Sequence, residues 1–283
     1  MPILSIPFDA KRHESGSLRN LYAAVCEYQG EQIWQEVFLA HWDALKSAGQ
    51  YFKEIRDRDS SAHPWPDLLE GESMNLYCAS RLSDLMLLSF QPGDLDVAGL
   101  GTTMENYTEL FTHLGFEVLK PVQFHAFSCE IVDVIQSEGN SIELLEVLWP
   151  AFMLGNMMFA RAGVRVKAPA HLLSRGIADC SCLYWAYRRK YRPANDLSHG
   201  WGRNSQWRTD FRRDFDLGDR YAYNVDRGVK AIDLRESIPA HAMMDDLITA
   251  DRINLLKHRC ITNMASANDG DYWPYDDYYE EVK

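Results

Sequence analysis

The feature that most constrains the fold is a change of hydrophobic period near Phe116. Before it, apolar residues recur every three or four positions. After it, they alternate or run together in short stretches divided by turn residues. The first pattern lays a stripe along a helix and the second builds the faces of strands. A chain that switches once from helix to strand belongs to the α+β class, not to an alternating βαβ fold.

In the first part, Ser17 is placed to cap a helix with Leu18, Leu21, Tyr22 and Val25 on one face, and Gly30 to end it. Ile33, Val37, His41/Trp42, Leu45 and Phe52 carry helical spacing on to about Arg56, and Pro64 and Pro66 stop it. Met74, Tyr77, Leu82, Leu85 and Leu88 predict a further helix, broken at Pro92-Gly93. Thr102 and Glu105 have capping-box spacing for a helix running to about Leu114, with Gly115 as its stop. Gly99-Leu100-Gly101 ahead of it lacks the third glycine of a phosphate loop and reads as a loop-to-helix joint.

In the second part, Val122–Gln136 and Ile142–Trp149 flank the turn Ser137–Asn140 and predict a hairpin. Phe152–Val166 continues extended, with Gly155 and Gly163 as bulge positions. Leu183, Trp185, Tyr187 and Tyr191 alternate as on a strand, and Gly218-Asp219 separates Gln206–Phe215 from Tyr221–Val225. The expectation is a curved, largely antiparallel sheet followed by a short helix within Met243–His258. Residues 1–116 form a helical lobe. Residues 117–283 form a β-rich lobe with the C-terminal helix and an acidic-aromatic tail. No Pro/Ser-rich linker divides the two, so a shared core is open to them.

Net charge is −12 over 283 residues, which argues against nucleic acid or an anionic membrane as partner. The apolar start has no basic region before it, and Val147–Ala160 is too short to span a bilayer. Six cysteines without Cys-x-x-Cys spacing read as buried thiols of a reducing compartment, so the expected location is cytoplasmic. His171 with Cys180 and Cys182 lacks a fourth ligand. On a strand, His125, Cys129 and Asp133 would spread over about 27 Å, too far for one ion. No metal and no cofactor is expected.

The charge is uneven. Trp185 to Arg213 holds eight cations against two aspartates, a net +6 that leaves −18 elsewhere. Within it, Ser198-His199-Gly200-Trp201-Gly202 is a Gly-rich turn, and alternation follows. As a strand, Trp207, Phe211, Arg213 and Phe215 face one way and Arg208, Asp210, Arg212 and Asp214 the other. Trp207, Phe211 and Phe215 also fit helical i, i+4, i+8 spacing. The extended reading gives an outward ribbon of guanidiniums and carboxylates.

Two functions follow from that ribbon. One is a binding protein that engages a protein partner through Arg188, Trp201, Arg203, Trp207, Arg208 and Arg212, for instance by neutralising a basic protein. The other is an enzyme on a small anionic substrate, a phosphate or carboxylate. There His199 is the acid/base, Asp210 or Asp214 orients it, and Arg208 and Arg212 are the clamps. No Gly-x-Ser-x-Gly, His-Glu-x-x-His or Walker motif adds a reaction to either.

Overall fold

The computed structural model describes residues 16–60, 62–69, 71–93, 99–183, 185–186, 188–193, 211–227, 231–232, 249–263 and 277–283. The fold is α+β. Helix α1 (Gly16–Glu27) buries Leu18, Leu21 and Val25, the stripe its spacing predicts. Ser17 lies inside its first turn. A π-helical turn at Trp34–Phe38 and a tight turn at Leu39–His41 lead into α2 (Trp42–Arg56), which buries Leu45, Ala48, Phe52 and Ile55.

Helix α3 (Glu72–Leu87) is buried on most of its circumference. Its first carboxylate, Glu72, accepts both Arg58 nitrogens at 2.7 and 2.6 Å. Helix α4 (Met104–His113) has a true capping box one residue later than the sequence suggests. Thr103 Oγ1 accepts from Asn106 N at 3.2 Å, and Asn106 Oδ1 accepts from Thr103 N at 3.1 Å. Thr102 instead pairs with Ser89.

Strands β1 (Glu117–Leu119), β4 (Ala151–Leu154), β5 (Met157–Ala160), β7 (Asp214–Asp216), β8 (Arg220–Tyr223) and β9 (Tyr279–Val282) form an antiparallel sheet in that order. A second sheet has the order β2 (Cys129–Ser137), β6 (Ala162–Pro169), β3 (Glu143–Trp149). The expected hairpin between β2 and β3 does not form. Strand β6 inserts between them, parallel to β2 and antiparallel to β3. Gly155 makes the β4–β5 turn at φ +56° and is not a bulge. Among the described residues from Asp179 to Tyr191 no strand forms; they are turns, bends and irregular backbone with an isolated bridge at Leu183, and Trp185 is in the left-handed region at φ +65°.

Both faces of the six-stranded sheet are covered, and its alternation shows by what. Phe152, Met157, Phe159 and Phe215 share one apolar cluster with helices α1–α4. Ala151, Met158 and Tyr223 join Ile131, Val164 and Val166 of the second sheet in another. The helices and the six-stranded sheet therefore share one apolar cluster. Helix α5 (Thr249–His258) ends two residues before Cys260, a member of the second cluster. No helix among the described residues is long and apolar enough to cross a membrane. None of the six cysteines is in a disulfide, and Cys26 and Cys180 are exposed where burial was expected.

One close approach fixes the pairing of β3 with β6 at Trp149 and Gly163. A Cβ on Gly163 would stand 2.3 Å from the Trp149 ring. Trp149 is fully buried and donates its Nε1–H to the carbonyl of Arg161 at 3.1 Å. The Gly163→Ala protein is expected to lose about 1–3 kcal/mol by overpacking, read from a urea transition followed by tryptophan fluorescence. An unchanged midpoint would mean the Trp149 ring has another place to go.

Candidate functional site

The β7 lead-in carries Arg212 and Asp214, and neither faces solvent. They are 4% and 0% exposed, and neighbouring Arg213 is 3% exposed. The outward ribbon is thus corrected for these three residues, because each face of the sheet is covered by another layer. Phe211, Arg213 and Phe215 point toward the helical side. There Phe211 stacks on Phe159 at 5.6 Å and Arg213 Nε donates to Asp226 at 2.7 Å. Arg212 and Asp214 point the other way, into a charged cluster.

Asp214 is the centre of that cluster. Its Oδ1 accepts from Arg212 Nε at 2.9 Å and from the Asn224 backbone N–H at 2.8 Å. Its Oδ2 accepts from Arg161 Nη2 at 3.2 Å and Arg259 Nη2 at 2.9 Å. Both oxygens are filled, by three guanidiniums from three parts of the chain. Arg161 is the single residue between β5 and β6, where the chain passes from one sheet to the other. Arg259 directly follows α5. The last carbonyls of that helix are also held: Lys257 O accepts from Arg161 Nη1 at 2.7 Å, and Leu256 O accepts from Arg212 Nη2. Cations suit that helix end, where the unsatisfied carbonyls carry partial negative charge.

Arg161, Arg212 and Arg259 are among the residues lining a pocket of about 60 Å³, and Asp214, which all three hold, is not. Arg81 and Arg189 line it too, with Asp84, Glu130, Trp185 and Phe211. The far wall is close to balanced. Arg189 donates to Glu130 through Nε at 2.6 Å and Nη2 at 2.8 Å, and to Asp84 at 2.7 Å. Tyr191 adds its hydroxyl to Glu130, and Arg81 lies over the Tyr77 ring at 4.4 Å. The near wall is not balanced. One carboxylate with no acceptor capacity left faces three guanidiniums, and the Nε–H of Arg161 and of Arg259 is buried with no partner among the described residues.

The titrations follow from this geometry. Burial would push the Asp214 carboxyl up, but Arg212, Arg259 and Arg161 together hold it below the usual carboxylate range. Burial, with the repulsion of Arg259 and Arg212, pushes Arg161 down to about 9 against the attraction of Asp214. Burial pushes Arg212 down to about 10, with Asp214 opposing. Both stay charged at neutral pH. Glu130, which burial alone would raise, is held low by Arg189 and by the Tyr191 hydroxyl.

Backbone strain gathers at the same place. Among the described residues three non-glycine positions have left-handed backbone: Trp185 at φ +65°, Asn224 at φ +59° and Arg259 at φ +59°. Trp185 and Arg259 line the pocket, and the Asn224 N–H bonds Asp214. Such residues cost of order 1–3 kcal/mol each and persist where the surroundings hold them.

Of the residues the sequence singles out, the structure brings Arg212 and Asp214 together and leaves Arg188 exposed nearby, its carbonyl accepting from Arg189 at 2.8 Å. His199, Trp201, Arg203, Trp207, Arg208 and Asp210 lie outside the described residues. Arg161, Arg259 and Glu130 were not anticipated. Each had one local signal, a lone charge inside an apolar run or beside a helix end. Among the described residues no group of three His, Cys, Asp or Glu could hold a metal ion. Comparison of the chain with protein-family models, with curated proteins and with solved structures finds no match.

Proposed function

We propose that this protein binds a small anionic ligand in the pocket lined by Arg161, Arg212 and Arg259. The observation that carries the reading is the mismatch at Asp214: among the described residues three buried guanidiniums converge on one saturated carboxylate, and all three arginines line a cavity. Two uncompensated positive charges inside a protein are costly, and an anion seated in front of them offsets that cost. The left-handed backbone at Trp185, Asn224 and Arg259 supports the reading, since strain of this kind clusters at binding sites.

The small-ligand reading is preferred to a protein-binding surface because the latter needs an outward ribbon, and Arg212, Arg213 and Asp214 are buried. Catalysis on the bound anion, with His199 as acid/base, is an extension that the described lining residues neither need nor supply.

The test is a thermal-shift and calorimetric titration with phosphate, sulfate and acetate against sodium chloride of matched ionic strength. At least one oxyanion is expected to stabilise saturably, by about 2.7 kcal/mol at a hundredfold excess over its Kd. The Arg259→Gln protein is expected to lose that response while remaining folded, because Arg259 is the most solvent-exposed of the three. A response to every oxyanion equal to that of chloride would overturn the proposal.

A further inference from the structure

Resting on the anion-binding reading, we infer that the pocket selects a phosphoryl dianion, free phosphate or the terminal group of a small phosphate monoester, over a carboxylate. Charge makes the first distinction. Among the described residues, three guanidiniums against Asp214 leave an excess of two, and the far wall of Arg81, Arg189, Asp84 and Glu130 adds none. A carboxylate would leave one positive charge buried without a counter-charge, whereas a dianion cancels both.

Shape makes the second. A carboxylate is planar and is satisfied by a single guanidinium fork. Here the three arginines come from the β5–β6 junction, the β7 lead-in and the end of α5, and Asp214 already takes one N–H from each. The three arginines thus reach the pocket from three separate parts of the fold. A tetrahedral group presents three terminal oxygens to three directions at once. Size agrees: about 60 Å³ admits a compact group and leaves the rest of a larger ligand outside.

The pH dependence then belongs to the ligand. The charged groups lining the pocket are Arg161, Arg212 and Arg259 with Arg81, Arg189, Asp84 and Glu130, and Asp214 lies behind. No described lining residue is a histidine. His258, at the end of α5, is pushed down to about 3 by burial, with Lys257 and Arg161 adding to it, and stays neutral. A phosphate monoester loses its second proton, and so becomes a dianion, only above about pH 6, the value known for phosphorylated side chains.

The experiment is isothermal titration at pH 8 and pH 5, at matched ionic strength, with inorganic phosphate, methyl phosphate, sulfate, dimethyl phosphate and acetate. At pH 8, inorganic phosphate, sulfate and methyl phosphate are expected to bind at least tenfold more tightly than the monoanions dimethyl phosphate and acetate. At pH 5, methyl phosphate is expected to weaken about tenfold while sulfate, a dianion at both values, does not. Binding of both methyl phosphate and inorganic phosphate assigns the site to monoesters; binding of inorganic phosphate alone assigns it to the free ion.

In Arg259→Gln the excess falls to one, so the preference for sulfate over acetate should collapse. In Arg259→Lys the charge stays and the preference should survive, which holds the test open if the glutamine variant does not fold. Equal binding of acetate and phosphate, or a methyl phosphate affinity unchanged between the two pH values, overturns dianion selection and leaves anion binding standing. Absence of binding by all five overturns the anion-binding reading itself.

Discussion

The Asp214→Asn protein is expected to lose about 3–5 kcal/mol of folding stability, out of the roughly 5–15 kcal/mol that holds a domain together. The substitution keeps the side chain's size and removes the only carboxylate among three buried guanidiniums. It also places an amide N–H₂ against donors on one side, so a hydrogen bond becomes a clash of like partners. The measurement is a denaturant titration at neutral pH. Adding Arg259→Gln to Asp214→Asn should return part of the loss, because one fewer cation is then stranded. A single variant as stable as the natural protein would mean the cluster carries no electrostatic load. In the unsubstituted protein the sign with pH is fixed: Asp214 titrates lower folded than unfolded. Its stabilisation is present in full above about pH 4 and is lost as the pH falls through the lower folded value.

The Glu130→Gln protein is expected to lose a similar amount, about 3–5 kcal/mol. Glu130 lies on β2, buried, and takes a fork from Arg189 together with the Tyr191 hydroxyl. Arg189 also reaches Asp84 on α3, so this arginine ties the helical side to the second sheet. An amide at position 130 leaves Arg189 half paired and turns a donor toward it. The readout is the denaturation midpoint. The Tyr191→Phe protein, which removes one neutral partner and leaves the ion pair, should lose only about 1 kcal/mol. Equal losses in the two would show that the charge of Glu130 is not what matters.

Much of the helical part was legible because burial there is local and periodic. Leu18, Leu21 and Val25, or Leu45 and Phe52, reveal the buried side of a helix without reference to anything distant. The β7–β8 hairpin was legible from Gly218-Asp219 between its two runs. Strand pairing was not. The turn at Ser137–Asn140 suits a hairpin, yet β2 and β3 are separated by β6, a choice decided by packing between residues about thirty apart.

The site was half legible. Arg212 and Asp214 stood out through alternation, but alternation gives two faces and not their surroundings. The second face, expected toward solvent, is interior at its described residues Arg212 and Asp214. Arg161 was passed over although it sits alone in Met157-Met158-Phe159-Ala160-Arg161-Ala162-Gly163-Val164, where an isolated cation announces a buried partner. Among the described residues the acidic tail meets Arg220, Arg252 and Lys257, while the basic segment meets Asp84, Glu130, Asp214 and Asp226.

The outer position of β3 has a consequence for how copies of this chain behave in crowded solution. One side of the strand pairs with β6, and the other shows unpaired backbone N–H and C=O groups among the described residues, beside the exposed Leu145. Such a border is a template on which a foreign strand can be laid. Glu143 and Glu146 stand along it, each answered by a cation of β6, Lys167 at 4.0 Å and Arg165 at 2.7 Å. An arriving copy would set its own glutamates against these before any backbone bond could close. The repulsion that acidic chains exert at a distance is thereby repeated at contact, where aggregation would begin.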